Sequence, residues 1–531
     1  MKKITALCFL ILFSLSGFSQ TIAWEKCFGG SYEDRLNNST IGHSNIIKTF
    51  DNNFVIAGNA ISSNGDLTGN NGERDYWIIK FDGNGNLIWQ KNYGGSNDDQ
   101  ANKVIETADH GYLVVGHTFS ADGDVTNYKG GYDVWVLKLD AAGNLQWQKT
   151  YGGSGFEIGT SACQDGNSYV ITGCTTSNDM DVSGNHNTGT FDMWTFKIDL
   201  NGAMIWQKCL GGSNIDTAVD IIKTPENQYV VCGTTYSTNG DVLSNTHAIN
   251  GESDTWVVKL DAEGNKIFEK CYGGTSQEYG CALINDTDGN HVILSTSASI
   301  DGDVTGHHGN TGFQDYWVTK ISASNGNIMW QKSLGGSSEE EAGDISLASN
   351  GDYLINGIAF SNNGNVTSPA NGGRDYWLVR LSPSLTVPWN YCLGTAGDEW
   401  GISVIEDTPG CYIATGNGQG KFISGHGGFD FWTAKVCDNA LSAAAFEGNA
   451  TDVTLFPNPM VNFSTIKFNR EVENYTVEIY NTLGQKVISF PSFYGNEIRI
   501  DKNQLSRGTY IVKISDGKNR VNCSKKLVVV K

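Results

Sequence analysis

Apolar and polar residues alternate in short runs along this chain, and the runs return in the same order. The stretch DVWVLKLDAAGNLQWQKTYGGSGFE at 133–157 comes back as DYWIIKFDGNGNLIWQKNYGGSNDD, DTWVVKLDAEGNKIFEKCYGGTSQE and DYWVTKISASNGNIMWQKSLGGSSEE. Period-two alternation bounded by Asp, Asn and Gly predicts short strands joined by hairpin turns, with no helical apolar period within the repeat. In one copy the strands are KVIETAD, GYLVVGHT, DVWVLKLD and LQWQKTY. A four-stranded unit of this length predicts a β-propeller blade.

Two anchors number the units. Asp-x-Trp-x-x-Lys/Arg begins at Asp75, Asp133, Asp192, Asp254, Asp315, Asp375 and Asp430. The aromatic of the second anchor, before Gly-Gly-Ser, is Trp24, Trp89, Trp147, Trp206, Phe268, Trp330 and Trp389, at spacings of 65, 58, 59, 62, 62 and 59 residues. The first of these strands has no unit of its own, and the last unit stops at DFWTAKVC without one. Ring closure reconciles the two ends. The expected fold is all-β, a seven-bladed β-propeller over 20–437 whose N-terminal strand completes the last blade. Thirteen of the 14 tryptophans fall in the two anchors. A hairpin register centred on AAGN places Trp135 and Trp147 on one face, packed against the next blade. Cys27, Cys209, Cys271 and Cys392 share one repeat position, expected to be buried and apolar. Cys27 and Cys437 are expected to lie several residues out of register, too far apart to bridge.

The phrase LDAAGNLQWQK resembles the strand-turn-strand phrase of pyrroloquinoline-quinone-type propellers, which bears on the fold and not on a cofactor. The repeat region as a whole is similar to tandem Trp-x-Lys/Gly-Gly-Ser proteins of exported Bacteroidota sequences, a resemblance that brings no settled activity.

After 437 the vocabulary changes. Residues 438–450, DNALSAAAFEGNA, are small and unpatterned and read as a linker. Over 451–531 the runs VTLFPNP, STIKF, YTVEIYN, QKVISF, NEIRI, GTYIVKIS and KKLVVVK predict a small immunoglobulin-like β-sandwich. Four motifs, FPNP at Phe456–Pro459, IYNTLGQKV at Ile479–Val487, LSRGTYIVKI at Leu505–Ile514 and KKLVVVK at Lys525–Lys531, resemble the type A sorting domain of the type IX secretion system. The resemblance implies a Bacteroidota protein that engages the secretion machinery through 451–531, to be released or held at the outer surface. A basic start followed by an apolar run too short to span a bilayer makes residues 1–19 a secretory signal peptide. No later segment has the length and apolarity of a membrane-crossing helix.

Charge divides the chain in the same places. Residues 451–531 carry 12 basic and 7 acidic side chains, and the leader 2 lysines. Subtraction from the totals of 36 and 57 leaves 22 basic and 50 acidic residues over 4–450, a net of −28. Such a surface repels nucleic acid and anionic lipid and favours cations, basic partners or neutral sugars, with solubility as the plain alternative.

No HExxH, no credible nucleophile motif and no phosphate loop stands in the chain, so no catalytic residue is assigned. The loops between the second and third strands read SSNGDLTG, SADGDVTN, SNDMDVSG, STNGDVLS and SIDGDVTG, placing an acid at Asp66, Asp124, Asp181, Asp241 and Asp303. Asx-turn chemistry accounts for these acids, with calcium as the one cofactor they could hold. A second acid follows each Gly-Gly turn, at Asp34, Asp99, Glu157, Asp216, Glu278, Glu340 and Glu399. Seven carboxylates opening the innermost strands would circle one mouth of the channel, unless they pair with repeat lysines or with the Gly-Gly amides. Trp400, directly after Glu399, is the one tryptophan outside the anchors; its equivalents are Arg35, Gln100, Ile158, Thr217, Tyr279 and Glu341. A ligand site is therefore expected at this mouth, with Trp400 as a stacking surface. The expected function is that of a secreted or surface-held, non-enzymatic binding propeller for a glycan or protein ligand. The alternatives are a carbohydrate hydrolase or lyase, and a structural or adhesive surface protein.

Overall fold

The computed structural model describes residues 20–39, 42–43, 45–245, 247, 251–310, 312–368, 372–419, 426–438, 453–481, 485–515 and 521–530. The predicted leader, and all of the predicted linker except Asp438, lie outside them. Chain contacts separate a unit of residues 20–437 from one that begins at Asp438.

The first unit repeats a four-stranded antiparallel sheet seven times, an arrangement consistent with a propeller. In the second sheet the strands are Asp99–Glu106, Tyr112–Thr118, Asp133–Leu139 and Leu145–Tyr151. The first strand thus starts at the acid after the glycine turn, four residues before the apolar run that announced it. In the first sheet this strand is broken into Asp34–Arg35 and Ile46–Lys48. The seventh sheet combines Glu399–Thr408, Cys411–Gln419 and Phe429–Asp438 with the N-terminal strand Gln20–Phe28 at its outer edge. Cys437 is bonded to Cys411 across the second and third strands of that sheet. Cys27 and Cys437 are accordingly not bridged, and the Cys411 partner went unforeseen.

The tryptophans are where the expected register needs correction. At the hairpin turn Leu139 faces Leu145, a register that would bring Trp135 onto the face of Trp147. A one-residue shift between Lys138 and Leu139 intervenes, so Trp135 faces Thr150 and Trp147 faces Lys138. With side chains alternating between faces, the two indoles point to opposite sides of the sheet. An inter-sheet core therefore receives one tryptophan from either side, except between the fourth and fifth sheets, where Phe268 holds the outer position. Trp89 of the first sheet joins Trp135 of the second, and Trp147 of the second joins Trp194 of the third. The same logic closes the series, since Phe431 and Ile402 of the seventh sheet pack with Trp77 and Phe54 of the first.

The repeated words of the sequence are the polar terms of this packing. The buried Trp135 indole donates to Gln148 of the outer strand at 2.8 Å, and Trp77 and Trp194 do the same with Gln90 and Gln207. The outer Trp147 donates to the Leu200 carbonyl in the turn of the next sheet. That turn carries a glycine at positive φ, and its equivalent Gly143 (φ 78°) has Trp89 3.0 Å from where a Cβ would stand. A side chain there would meet both backbone strain and the indole. The repeat lysine works at this same end, where Lys138 reaches Asp109 in the turn between the first two strands at 2.9 Å, as Lys80 reaches Asp51 and Lys197 Asp165, while Lys259 donates to the Ala323 carbonyl.

The second unit is a five-stranded sheet ordered Val453–Phe456, Phe463–Asn481, Gly508–Ser515, Val521–Val529, with Lys486–Asp501 paired to the long second strand. Runs predicted as separate strands are joined here, STIKF with YTVEIYN and QKVISF with NEIRI. Its core is its own, built on Ile466, Val477, Ile479, Ile500, Val512, Ile514 and Leu527.

Candidate functional site

Each Gly-Gly turn closes over the acid that follows it. The Gly95 N–H donates to Asp99 Oδ2 at 2.7 Å and Ser120 Oγ to the same oxygen at 2.9 Å, while Thr118 Oγ1 serves Oδ1. Glu157 receives Gly153 N–H and Thr175 Oγ1, both at 2.7 Å, and Asp216 receives Gly212 N–H at 2.7 Å and Ser237 Oγ at 2.8 Å. Asp34, Glu278, Glu340 and Glu399 hold their turns in the same way. All seven carboxylates have 0% exposure. The expected ring of acids open to the channel mouth is therefore corrected. Backbone amides and hydroxyls take up the carboxylates, and the repeat lysines lie elsewhere, Lys138 on Asp109 and Lys91 on Asn144. Burial raises the carboxyl pKa of Asp34, Asp99, Glu278 and Glu340 above the ordinary range, and that of Asp216 to about 6.

The loop acids belong to the same turns. Asp124 N–H donates to the Gly94 carbonyl at 2.9 Å, and Gly94 N–H donates back to Asp124 Oδ2 at 3.2 Å. Asp66, Asp181, Asp241 and Asp303 repeat this exchange with Gly29, Gly152, Gly211 and Gly273. Among the described residues no three acid, His or Cys side chains are grouped to hold a metal. The acid that opens each third strand packs against the same glycines: a Cβ on Gly94 would stand 2.1 Å from Asp75 Oδ1. Burial, with Asp99 and Asp124 nearby, pushes the Asp75 carboxyl up to about 7; burial likewise takes Asp133 to about 7 and Asp254 to about 8.

One residue beyond each turn acid the picture changes. In the strand pairing this position faces a residue near the end of the second strand, giving Arg35 opposite Asn59, Gln100 opposite His117 and Trp400 opposite Asn417. These six side chains, with Leu36, Asn37, Arg74, Asn102 and Ile158, line a cavity of about 280 Å3. It lies where the seventh, first and second sheets converge. In the third to sixth sheets the corresponding pairs are Ile158–Cys174, Thr217–Thr234, Tyr279–Thr296 and Glu341–Ile358, and of these Ile158 alone reaches the cavity lining.

Four polar atoms in this lining are buried without a hydrogen-bond partner: Arg35 Nε, Asn59 Oδ1, His117 Nδ1 and Trp400 Nε1. Asn59 and His117 are 4% and 7% exposed, so these atoms are removed from bulk solvent. Burial lowers the His117 pKa to about 4, which keeps the imidazole neutral. Trp400 stacks on Phe429 with ring centroids 4.9 Å apart, and the Arg35 and Arg374 guanidinium carbons lie 5.3 and 5.7 Å from its ring. Amides brace the floor: Asn417 exchanges two hydrogen bonds with the Leu36 backbone, and Asn59 donates to Asn37. Sequence reasoning singled out Trp400 and missed Asn59, His117 and Arg74, which lie in other strands and loops. It also missed a central contact, in which Lys103 of the second sheet reaches Asp220 of the fourth at 3.2 Å. Ser161 of the third sheet donates to that aspartate at 2.6 Å.

Comparison with known proteins bears mainly on the second unit. Residues 454–530 match the secretion system C-terminal sorting domain family. Among curated proteins, the regulatory protein FlaEY of Caulobacter vibrioides is 24% identical over 182 residues, 33% of this chain and 19% of that protein. An endo-acting ulvan lyase of Formosa agariphila is 37% identical over 81 residues, 15% of each chain. The chain thus spans less than a fifth of either relative. Among solved structures, the extracellular domain of a one-component system from B. thetaiotaomicron aligns at a TM-score of 0.38 and 11% identity, covering 95% of this chain and 59% of that one. A protein of unknown function from Dyadobacter fermentans aligns at 0.39 and 8%, covering 79% and 99%. These structural likenesses are too distant to enter the functional argument. No helix among the described residues is long and apolar enough to cross a membrane. The four motifs and the family match together identify residues 454–530 as a type IX C-terminal sorting domain, and the chain as one exported to the cell surface or the medium.

Proposed function

We propose that the exported body of this protein is a non-enzymatic binding module, a seven-bladed β-propeller over 20–437 that takes its ligand at the mouth beside Trp400. Residues 1–19 are its signal peptide, 438–450 its linker, and 451–531 an immunoglobulin-like sandwich that the type IX machinery of a Bacteroidota cell recognises. The observation that carries the binding role is the set of four unpartnered polar atoms on four residues of one cavity. A buried polar group without a partner costs about 1–3 kcal/mol, and a ligand or water that supplies the partners recovers it. The pattern offers donors from Arg35 and Trp400, an acceptor from Asn59 and a donor or acceptor, by tautomer, from neutral His117, which suits a ligand bearing both hydroxyls and acceptor oxygens.

The cavity lining contains no Asp or Glu. A glycosidase of the usual kind works with a pair of carboxylates, so the lining favours binding over hydrolysis. The test is a glycan and protein array probed with the full-length protein and with Trp400→Ala, read by tryptophan fluorescence. Saturable binding lost in the variant supports the reading. Turnover of a polysaccharide, or binding that ignores Trp400, overturns it.

A further inference from the structure

We infer that the ligand is an anionic saccharide chain: one charged sugar unit enters the cavity and the next units lie on an aromatic ridge beside it. This inference rests on the reading of the mouth as a binding site.

The charge argument begins with composition. Residues 20–437 contain four arginines in a strongly acidic stretch of chain. Arg380 is committed to Asp352 at 2.5 Å. The other three gather around Trp400: Arg35 and Arg74 line the cavity, and Arg374 stands 5.7 Å from the indole ring. Arg35 and Arg74 are each held from the rim by a single nitrogen, Arg35 to Glu33 at 2.9 Å and Arg74 to Asp98 at 3.3 Å. Each guanidinium has five N–H donors in a planar fork, so most remain for an incoming anion, and Arg35 Nε is buried without a partner. Carboxylate and sulfate groups match that fork and can take the N–H donors that Glu33 and Asp98 leave free.

The saccharide argument comes from what surrounds the arginines. Asn59 Oδ1 and the neutral imidazole are left for hydroxyls, and the indole face away from Phe429 is the place for a sugar ring. At about 280 Å3 the cavity is just below the ~300–1,000 Å3 of a drug-sized ligand site. It has room for one cyclic unit and not for a chain.

Next to it the surface turns aromatic. His117 meets Tyr132 edge-on at 4.9 Å, and Tyr132 lies 5.2 Å from Phe119 and 5.7 Å from Phe156. Phe119 and Phe156 are 41% and 47% exposed. Asp98 ties this ridge to the cavity, accepting from Tyr132, Gln100 and Arg74. Exposed rings fixed this way give the apolar faces of successive sugars a place to stack.

The experiment titrates the full-length protein with oligogalacturonate, a sulfated galactan oligosaccharide and a neutral cello-oligosaccharide of equal length, and with galacturonic acid alone. Expected are binding of an anionic oligosaccharide, affinity that falls with added salt, and at least an about tenfold loss in Arg74→Gln, as removal of a charge-assisted hydrogen bond implies. Arg74 lies on the rim with its side chain 41% exposed, so that variant keeps its fold where Arg35→Gln could lose it. Phe119→Ala should weaken the oligosaccharide and leave galacturonic acid unchanged. The uronate and sulfate arms tell which anion is read. Equal binding of the neutral oligosaccharide, insensitivity to salt and to Arg74→Gln, or no binding of any anionic oligosaccharide overturns the inference. If some other ligand still binds in a Trp400-dependent way, the binding function stands and only the ligand class falls. Chain shortening by the protein would refute the non-enzymatic reading and leave anion recognition intact.

Discussion

Asp99 and Gln100 are neighbours in one strand and belong to different regions of the molecule. Asp99 has six counterparts that are all acids, each buried under a glycine turn and accepting its amide. Gln100 has six counterparts that share nothing: Arg35, Ile158, Thr217, Tyr279, Glu341 and Trp400. Strand geometry explains the divide. Successive side chains point to opposite faces, so the acid turns into its own turn while the next residue meets the mouth. Repetition therefore marks what every sheet needs in order to form, and departure from repetition marks where the molecule is free to specialise. The specialised arc is the one formed by the seventh, first and second sheets.

The comparison breaks if the two positions respond alike to truncation. Asp99→Ala leaves the Gly95 amide and two hydroxyls without their acceptor inside the turn, at an expected cost of about 3 kcal/mol in chemical denaturation. Gln100→Ala should cost about 1 kcal/mol, the hydrogen bond it gives Asp98. Equal losses would return the variable position to the scaffold.

Trp400→Ala tests the same divide from the ligand side. It should weaken binding by more than about tenfold and abolish the ligand-induced fluorescence change. Its stability should fall much less than that of Asp99→Ala, by about 1 kcal/mol for the lost aromatic stack. A collapse in stability without a binding phenotype would make the indole part of the core.

The pH dependence sharpens the contrast further. Asp75 and Asp133 at about 7 and Asp254 at about 8 hold protons in the folded state that the unfolded chain, near ~3.9, gives up. Their contribution is complete below about pH 4 and is lost as pH rises toward 8. Asp109, held down to about 2 by Thr107 and Lys138 against the pull of burial, contributes in the opposite sense and only in acid. The melting temperature should therefore peak at mildly acidic pH and decline toward pH ~8. Asp254→Asn, which fixes a neutral group beside Glu278 and Asp303, should flatten the decline; a melting temperature that rises from pH ~5 to ~8 would contradict it.

The smallest effect is expected in the cavity. With His117 at about 4 and the arginines permanently charged, affinity should hardly change between pH ~6 and ~8 while stability falls. An affinity that titrates near neutrality would mean the imidazole is not buried as described.

By itself the sequence determined the repeat, the four strands of each unit, the N-terminal strand at the edge of the last sheet and the sorting domain. These follow from signals that are local, or local and repeated: alternation, turn residues and fixed motifs. It also pointed to Trp400, because one residue out of step can be seen without knowing any contact. Tertiary structure decided the rest. The one-residue shift beside Lys138 places Trp135 and Trp147 on opposite faces, and alternation alone is blind to a single bulged residue. Whether Asp34 and its counterparts face solvent or their own turns depends on hydroxyls and amides 21 to 28 residues away, just past the end of the second strand. The cavity joins Trp400 and Asn417 from one end of the unit to Arg35, Asn59, Arg74 and His117 from the other. Only the pairing of the N-terminal strand with the last sheet, and the packing of that sheet on the first, brings them together.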